Sequence, residues 1–379
     1  MTDKSFLLSD TKIYKADKIF TGDNWLPDHA VSTKTGIIHD ITPVSSLAEN
    51  IVAEDFPGCF IAPAFIDLQI YGAYKKLFAV YPETDALYKL KEYCEKGGAA
   101  YSMPTAATNT REVFYKCIDA IKAYWKEGGE GILGLHVEGP WINPIKRGAH
   151  IESLIHAPSI EEVKELLDYG RDVIKIITLA PEVCSQEVID LIQSDNIIVS
   201  AGHSNATYKE ATKAFDNGIK TVTHLYNAMS PLQHREPGLA GATLNNGNVM
   251  ASIIPDGHHV DYAAISIAKK IMGERLFVIT DAVTETDKGH YQHYLAGNKY
   301  ESAGILSGSA LTMGKAVQNL VNYVNIELGE ALRMCSLYPA KVLGMQNKSD
   351  RYRMGKIGKG YVSKMVVMNE RMEVVQMID

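Results

Sequence analysis

The chain is poor in the features that mark secreted, membrane-spanning or nucleic-acid-binding proteins. Its five cysteines (Cys59, Cys94, Cys117, Cys184 and Cys335) are odd in number, scattered and free of any CxxC pair. That spacing excludes a disulfide framework and a thiolate zinc site, and the thiols are expected to be reduced, mostly core residues. No segment supplies the roughly eighteen uninterrupted apolar residues that a membrane span needs. The opening MTDKSFLLSDTKIY has charges on both sides of an apolar patch too short for a secretory signal, so a cytoplasmic location is expected. Basic residues are not in excess. With 38 Lys and Arg against 45 Asp and Glu, the formal charge is −7, which leaves no basic footprint for nucleic acid. A local positive cluster can still hold a phosphate on such a protein. No GxGxxG follows the first strand, which argues against a dinucleotide fold. Internal repeats and low-complexity tracts are absent as well.

What is present is ordinary globular composition, 46% hydrophobic and 22% charged over 379 residues. At about 150 residues per domain, that length suits two or three domains, or one large barrel with an addition. From about residue 60 onward, apolar runs alternate with helical patterns; among the runs are CFIAPAFIDLQI, GILGLHVEG, IIVSAGHS, TVTHLYNA and RLFVITDAV. Between two of the runs, Phe114, Cys117, Ile118, Ile121 and Trp125 recur at three-to-four spacing and define one helical face. Ser159 and Glu162 have the spacing of a capping box at the start of another helix. Eight such strands with intervening helices predict an α/β fold, a (β/α)8 TIM-type barrel. The first sixty residues and the final stretch MGKIGKGYVSKMVVMNERMEVVQMI instead show short alternating strands split by turn residues. The expected architecture is a catalytic barrel of residues 61–340 set into a small β-sandwich domain made from residues 1–60 and 341–379.

Barrel enzymes place their chemistry at the carboxyl ends of the strands. Glu138 stands there in HVEGP, His203 in SAGHS, His224 in TVTHL and Asp281 in VITDA. Each alone has an ordinary reading, a hydrogen-bonded strand-end histidine or a carboxylate capping a turn. Together they supply one carboxylate and two imidazoles from separate strands and leave a fourth position open, the arrangement of a catalytic zinc. Such a site lowers the pKa of water and polarises a carbonyl while a free carboxylate, here Asp281, moves the proton. The end of the first strand reads Asp67-Leu68-Gln69-Ile70-Tyr71, where a two-metal site would carry His-x-His. Neither Gln69 nor Tyr71 is a normal zinc ligand, so one divalent ion per subunit is expected. Zinc is the first choice, and Fe2+, Co2+ or Mn2+ also suit the donor set. Gln69 is a candidate contact to water at the metal, with a plain structural amide as the alternative.

Longer blocks narrow the reading. HVEGPW (His136 to Trp141), RGAH (Arg147 to His150), AGHSNAT, THLYNAM, REPGLAG, PDGHHVD, VITDA and LSGSALTM occur in this order along the chain. In these blocks the sequence resembles the amidohydrolase superfamily and, within it, the N-acetylglucosamine-6-phosphate deacetylase family. The resemblance implies metal ligation by Glu138, His203 and His224, and a general base and acid role for Asp281. It gives His150 the polarisation of the acetamide carbonyl. It implies substrate contacts at Ala149, Asn227, Ala228, Asp256, Gly257, His258, His259, Leu306, Ser307 and Gly308. Arg235 matches an arginine that reaches the phosphate of the neighbouring subunit, which implies a homodimer with composite sites. Arg235 and the His258-His259 pair are also the charge-assisted donors that a phosphate needs. Two departures stand out: Gln-x-Tyr at the first strand, and Ser363-Lys364 where the superfamily has Ala-Asp. The substrate expected is an amino-sugar phosphate, with the gluco and galacto epimers both open. The rival readings are a silent sugar-phosphate-binding regulator and an amidohydrolase of cyclic amides or nucleobases.

Overall fold

The computed structural model describes residues 11–48, 51–302, 304–346 and 353–379. Its centre is a ring of eight parallel strands: β1 (Phe65–Ile70), β2 (Ala99–Ala107), β3 (Leu135–Glu138), β4 (Ile174–Leu179), β5 (Ile198–Ala201), β6 (Thr221–Val222), β7 (Met250–Ile253) and β8 (Leu276–Val278). Each strand pairs with the next in sequence, as short right-handed crossovers through helices require. The ring closes just beyond β8, where the Asp281 N–H donates to the Gln69 carbonyl at 3.0 Å and the Tyr71 N–H to the Ala282 carbonyl at 2.8 Å. Closure therefore brings the end of the last strand against the end of the first.

The helices follow their apolar spacing. Arg111–Lys126 buries Phe114, Cys117, Ile118, Ile121 and Tyr124 against the strands. Trp125 lies at the margin of that face and donates its indole N–H to the Ile132 carbonyl at 2.9 Å. The helix Ile160–Gly170 is capped in one direction only, since Ser159 Oγ accepts the Glu162 N–H at 3.1 Å. The Glu162 carboxylate does not return to the cap, because it accepts from the Trp141 indole and sits 2.9 Å from His156 Nε2. A reciprocal capping box occurs instead at Thr207 and Glu210.

Both ends of the chain join one seven-stranded sheet, which packs against the barrel. Glu54–Pro63 is its hinge, parallel to Thr11–Phe20 on one side and antiparallel to Met365–Asn369 on the other. Side chains alternate across it as the pleat demands. Ile61, Met365 and Val367 face a local core with Tyr14, Val31 and Ile38, while Phe60, Ala62, Val366 and Met368 face the barrel core. The Ser-Lys departure is absorbed by packing. Ser363 is buried with its N–H on the Gly36 carbonyl, and Lys364 pairs with Asp379 at 2.8 Å. All five cysteines are free, with Cys94, Cys117 and Cys335 buried. Among the described residues no helix is long and apolar enough to cross a membrane.

Candidate active site

Glu138 closes β3, and His203, His224 and Asp281 lie two to three residues past the ends of β5, β6 and β8. All three of the latter adopt left-handed backbone, with φ of 46°, 36° and 53°. For non-glycine residues this costs about 1–3 kcal/mol each and persists only where the surroundings impose it. Here the His224 N–H donates to Ser252 Oγ at 2.8 Å, the His203 carbonyl accepts from Asn143, and Asp281 is held by Gln69 and Ser309. The turns swing the three side chains inward, over the barrel mouth.

Beneath them lies a polar floor. Burial lowers the His136 pKa to about 4, so the ring is neutral. Its Nδ1–H donates to the Leu68 carbonyl, which leaves Nε2 to accept from Thr178 Oγ1 at 2.7 Å. Thr178 then accepts from Thr223, and Thr223 from Ser200, in one directed chain that anchors the residue before His224.

The ring tautomers decide which groups can bind a cation. His203 Nδ1 lies 2.9 Å from the Lys146 carbonyl and His224 Nδ1 3.2 Å from the Asn227 carbonyl. A carbonyl only accepts, so both rings carry their proton on Nδ1 and present a bare Nε2. The two Nε2 atoms are 3.1 Å apart, and Glu138 Oε1 is 3.3 Å from His203 Nε2 and 3.1 Å from His224 Nε2. Three electron pairs cannot crowd this closely without a cation or extra protons among them. The edge of a tetrahedron with metal bonds of about 2.0 Å is about 3.3 Å, so the triangle has the size of one zinc coordination face. Burial, with His150 beside it, lowers the His203 pKa to about 4 and keeps that ring neutral. At His224 burial acts in the same sense, but Glu138 outweighs it and the pKa is raised.

A second triad, Glu138, His150 and His203, also brings its ligand atoms within 4.8 Å. His150 has the opposite tautomer, however. The Thr108 N–H, which can only donate, points at His150 Nδ1 at 3.4 Å, and Thr108 Oγ1 lies 2.6 Å from the same nitrogen. The His150 proton is therefore on Nε2, 3.3 Å from Glu138 Oε2, where it serves as a hydrogen-bond donor.

Gln69 Nε2 reaches Glu138 Oε1 at 3.0 Å, Asp281 Oδ1 at 2.8 Å and Tyr71 Oη at 2.8 Å, so the amide bridges ligand and base. Tyr71, whose hydroxyl donates to Glu138 Oε2, was not expected in the site. Burial, reinforced by Glu138, raises its pKa well above the usual phenol value and keeps that proton in place. The signal for it was available, since Asp67, Gln69 and Tyr71 alternate on one strand and so share its inner face. Thr108 gave no such signal. Burial raises the Asp281 pKa, with His224 opposing and Glu138 adding to the rise.

These groups line a cavity of about 220 Å³ together with Ala149, Asn227, Ala228, His259, Leu306, Ser307 and Gly308. Asp256 does not line it but accepts the His259 Nδ1–H at 2.7 Å and the backbone N–H groups of His258 and His259. That orients the His259 ring. Gly257 and the exposed His258 face a neighbouring groove, and Arg235 lies on an exposed loop outside the lining of the metal cavity. A larger cavity, about 410 Å³ beside Arg111 and Trp141, has no convergent ligand set.

A parallel barrel with a His-His-Glu cation site, an adjacent free carboxylate and an imidazole donor defines a metal-dependent hydrolase. The amidohydrolase family model matches residues 60–376, and a NagA composite domain matches residues 16–61. The chain belongs to the amidohydrolase family. It is 33% identical over 368 residues to the N-acetylglucosamine-6-phosphate deacetylase of Haemophilus influenzae, covering 94% of this chain and 95% of that one. It is 30% identical to an N-acetylgalactosamine-6-phosphate deacetylase of Escherichia coli O157:H7, over 91% of this chain and 93% of that one. The crystal structure of N-acetylglucosamine-6-phosphate deacetylase from Pasteurella multocida superposes with a TM-score of 0.91 at 33% identity, covering 97% and 98% of the two chains.

Proposed function

We propose that the protein hydrolyses the acetamide of N-acetylglucosamine 6-phosphate, giving glucosamine 6-phosphate and acetate. The observation that carries this reading is the triangle of Glu138 Oε1, His203 Nε2 and His224 Nε2 with edges of 3.1–3.3 Å, set beside Asp281. One divalent ion held there, zinc by preference, would acidify a water molecule and polarise the amide carbonyl. Asp281 takes the proton from the attacking water and returns it to the departing nitrogen, so one carboxylate serves both steps. His150 donates from Nε2 to the oxygen that gains charge, and Thr108 holds the ring for that task. Gln69 keeps Glu138 and Asp281 at a fixed separation. His259, oriented by Asp256, faces the sugar phosphate, and Arg235 reaches the phosphate of a partner subunit in a homodimer. The barrel, residues 61–340, carries the chemistry, and residues 1–60 with 341–379 form the packing domain. A phosphorylated sugar is retained by membranes, which supports a cytoplasmic location.

The test is amine release from N-acetylglucosamine 6-phosphate by purified protein, with metal content measured on the same sample. Fast release with about one ion per chain, and little from the unphosphorylated sugar, supports the reading; no release from a metal-loaded sample removes it. The Escherichia coli relative makes the galacto epimer the comparison substrate, and the ratio of kcat/KM values decides between the two.

A further inference from the structure

Next to the metal cavity is a smaller recess of about 40 Å³. The two share Tyr71, Ala149, His150 and Ser307, so the recess opens directly behind the imidazole that faces the carbonyl. Its far wall is apolar, formed by Leu77, Ala79, Ala107 and Val283 with the ring of Tyr291. Leu77, Ala107, Val283 and Tyr291 make one buried cluster. Tyr291 also donates its hydroxyl to the Thr108 carbonyl at 2.7 Å, which ties the wall to the residue that orients His150.

We propose that this recess is the acyl pocket, taking the methyl of the acetyl group and excluding longer acyl chains; the proposal rests on the deacetylase reading above. A carbonyl carbon carries three substituents. The oxygen must meet the cation site and His150, and the nitrogen must meet Asp281. The sugar on that nitrogen needs the open, polar cavity that holds Asn227 and His259. The remaining substituent is a carbon group, and the contiguous apolar space behind Tyr71 and His150 is where it goes. A site needs about 10–15 Å³ of such space to hold one water, so the recess has room for a methyl and little more. Leu77 and Val283 are 3% and 6% exposed, and a Cβ placed on Gly308 would lie 2.5 Å from Val283 Cγ1, so these walls are already packed.

The experiment measures kcat/KM of the metal-loaded enzyme on the N-formyl, N-acetyl, N-propionyl and N-butyryl derivatives of glucosamine 6-phosphate. Each turnover adds one water across the amide and releases one carboxylate and one amine. The expected result is a drop of roughly 10–200-fold from acetyl to propionyl, the usual discrimination for one methylene, and a further drop at butyryl. Leu77→Ala lengthens the recess and should raise the propionyl-to-acetyl ratio at least about tenfold. Ala107→Val fills it, and should spare N-formyl turnover while lowering N-acetyl turnover; this variant decides the matter where Leu77→Ala does not fold. Equal rates on all four derivatives, or ratios unmoved in the folded variants, overturn the pocket alone. No turnover on any derivative overturns the deacetylase reading and the pocket with it.

Discussion

His203 and His224 point their Nε2 atoms at each other across 3.1 Å while each commits Nδ1 to a backbone carbonyl. Two lone pairs and the Glu138 carboxylate thus converge in a buried space, and a cation relieves their repulsion. A divalent ion should therefore stabilise the fold, by about 2.7 kcal/mol at one hundred times its Kd. Thermal unfolding with and without zinc should show a rise in Tm for the wild type and none for His203→Ala. An equal rise in both would place the ion elsewhere.

Tyr71 occupies the position where a two-metal relative would supply a ligand, and its hydroxyl fixes Glu138 Oε2. Partners that orient a ligand are typically worth 10–100-fold, roughly, in metal affinity. Tyr71→Phe should keep the ring and the fold, weaken zinc binding by about that factor, and still bind one ion per chain. Competition with a chelator of known affinity measures it, and unchanged affinity would reduce Tyr71 to a filler.

Asp281→Asn should lower kcat by about 10²–10⁴-fold with little change in KM, since it removes proton transfer and leaves binding. Burial raises the Asp281 pKa. A base acts deprotonated, so kcat/KM in the wild type should fall as pH drops through that raised value. The residual activity of the variant should lack this acid limb. Retention of near-full turnover would reassign the base.

Much of this site was legible in one dimension because barrel chemistry collects at strand ends. The runs ending near Glu138, His203, His224 and Asp281 announced both the strands and their cargo. What could not be read was anything set by ring tautomer or by closure of the barrel. No local pattern says that Thr108 would fix the His150 proton, or that His203, His224 and Asp281 would need left-handed backbone. Glu162 shows the same limit at the level of a helix cap, where the neighbours Trp141 and His156 claimed a side chain that the spacing had assigned to the cap.

Asp67 extends the argument to stability. It is fully buried under the site, where Oδ1 accepts the N–H groups of Thr280 and Gln69 and Oδ2 accepts the Thr280 hydroxyl. Burial outweighs these bonds and raises its pKa to about 7. The folded protein therefore holds a proton that the unfolded chain, with an ordinary carboxyl near 3.8, has already released. Stability contributed by this group is full below about pH 4 and declines as pH rises toward about 7, because the folded state binds more protons in that window. At about 1.4 kcal/mol per unit, the loss is at most about 4 kcal/mol. Asp67→Asn, which cannot ionise, should remove the slope. Denaturant unfolding of both proteins at pH 5 and pH 8 should show the wild type losing stability relative to the variant as pH rises, and parallel curves would mean that Asp67 stays in one protonation state throughout.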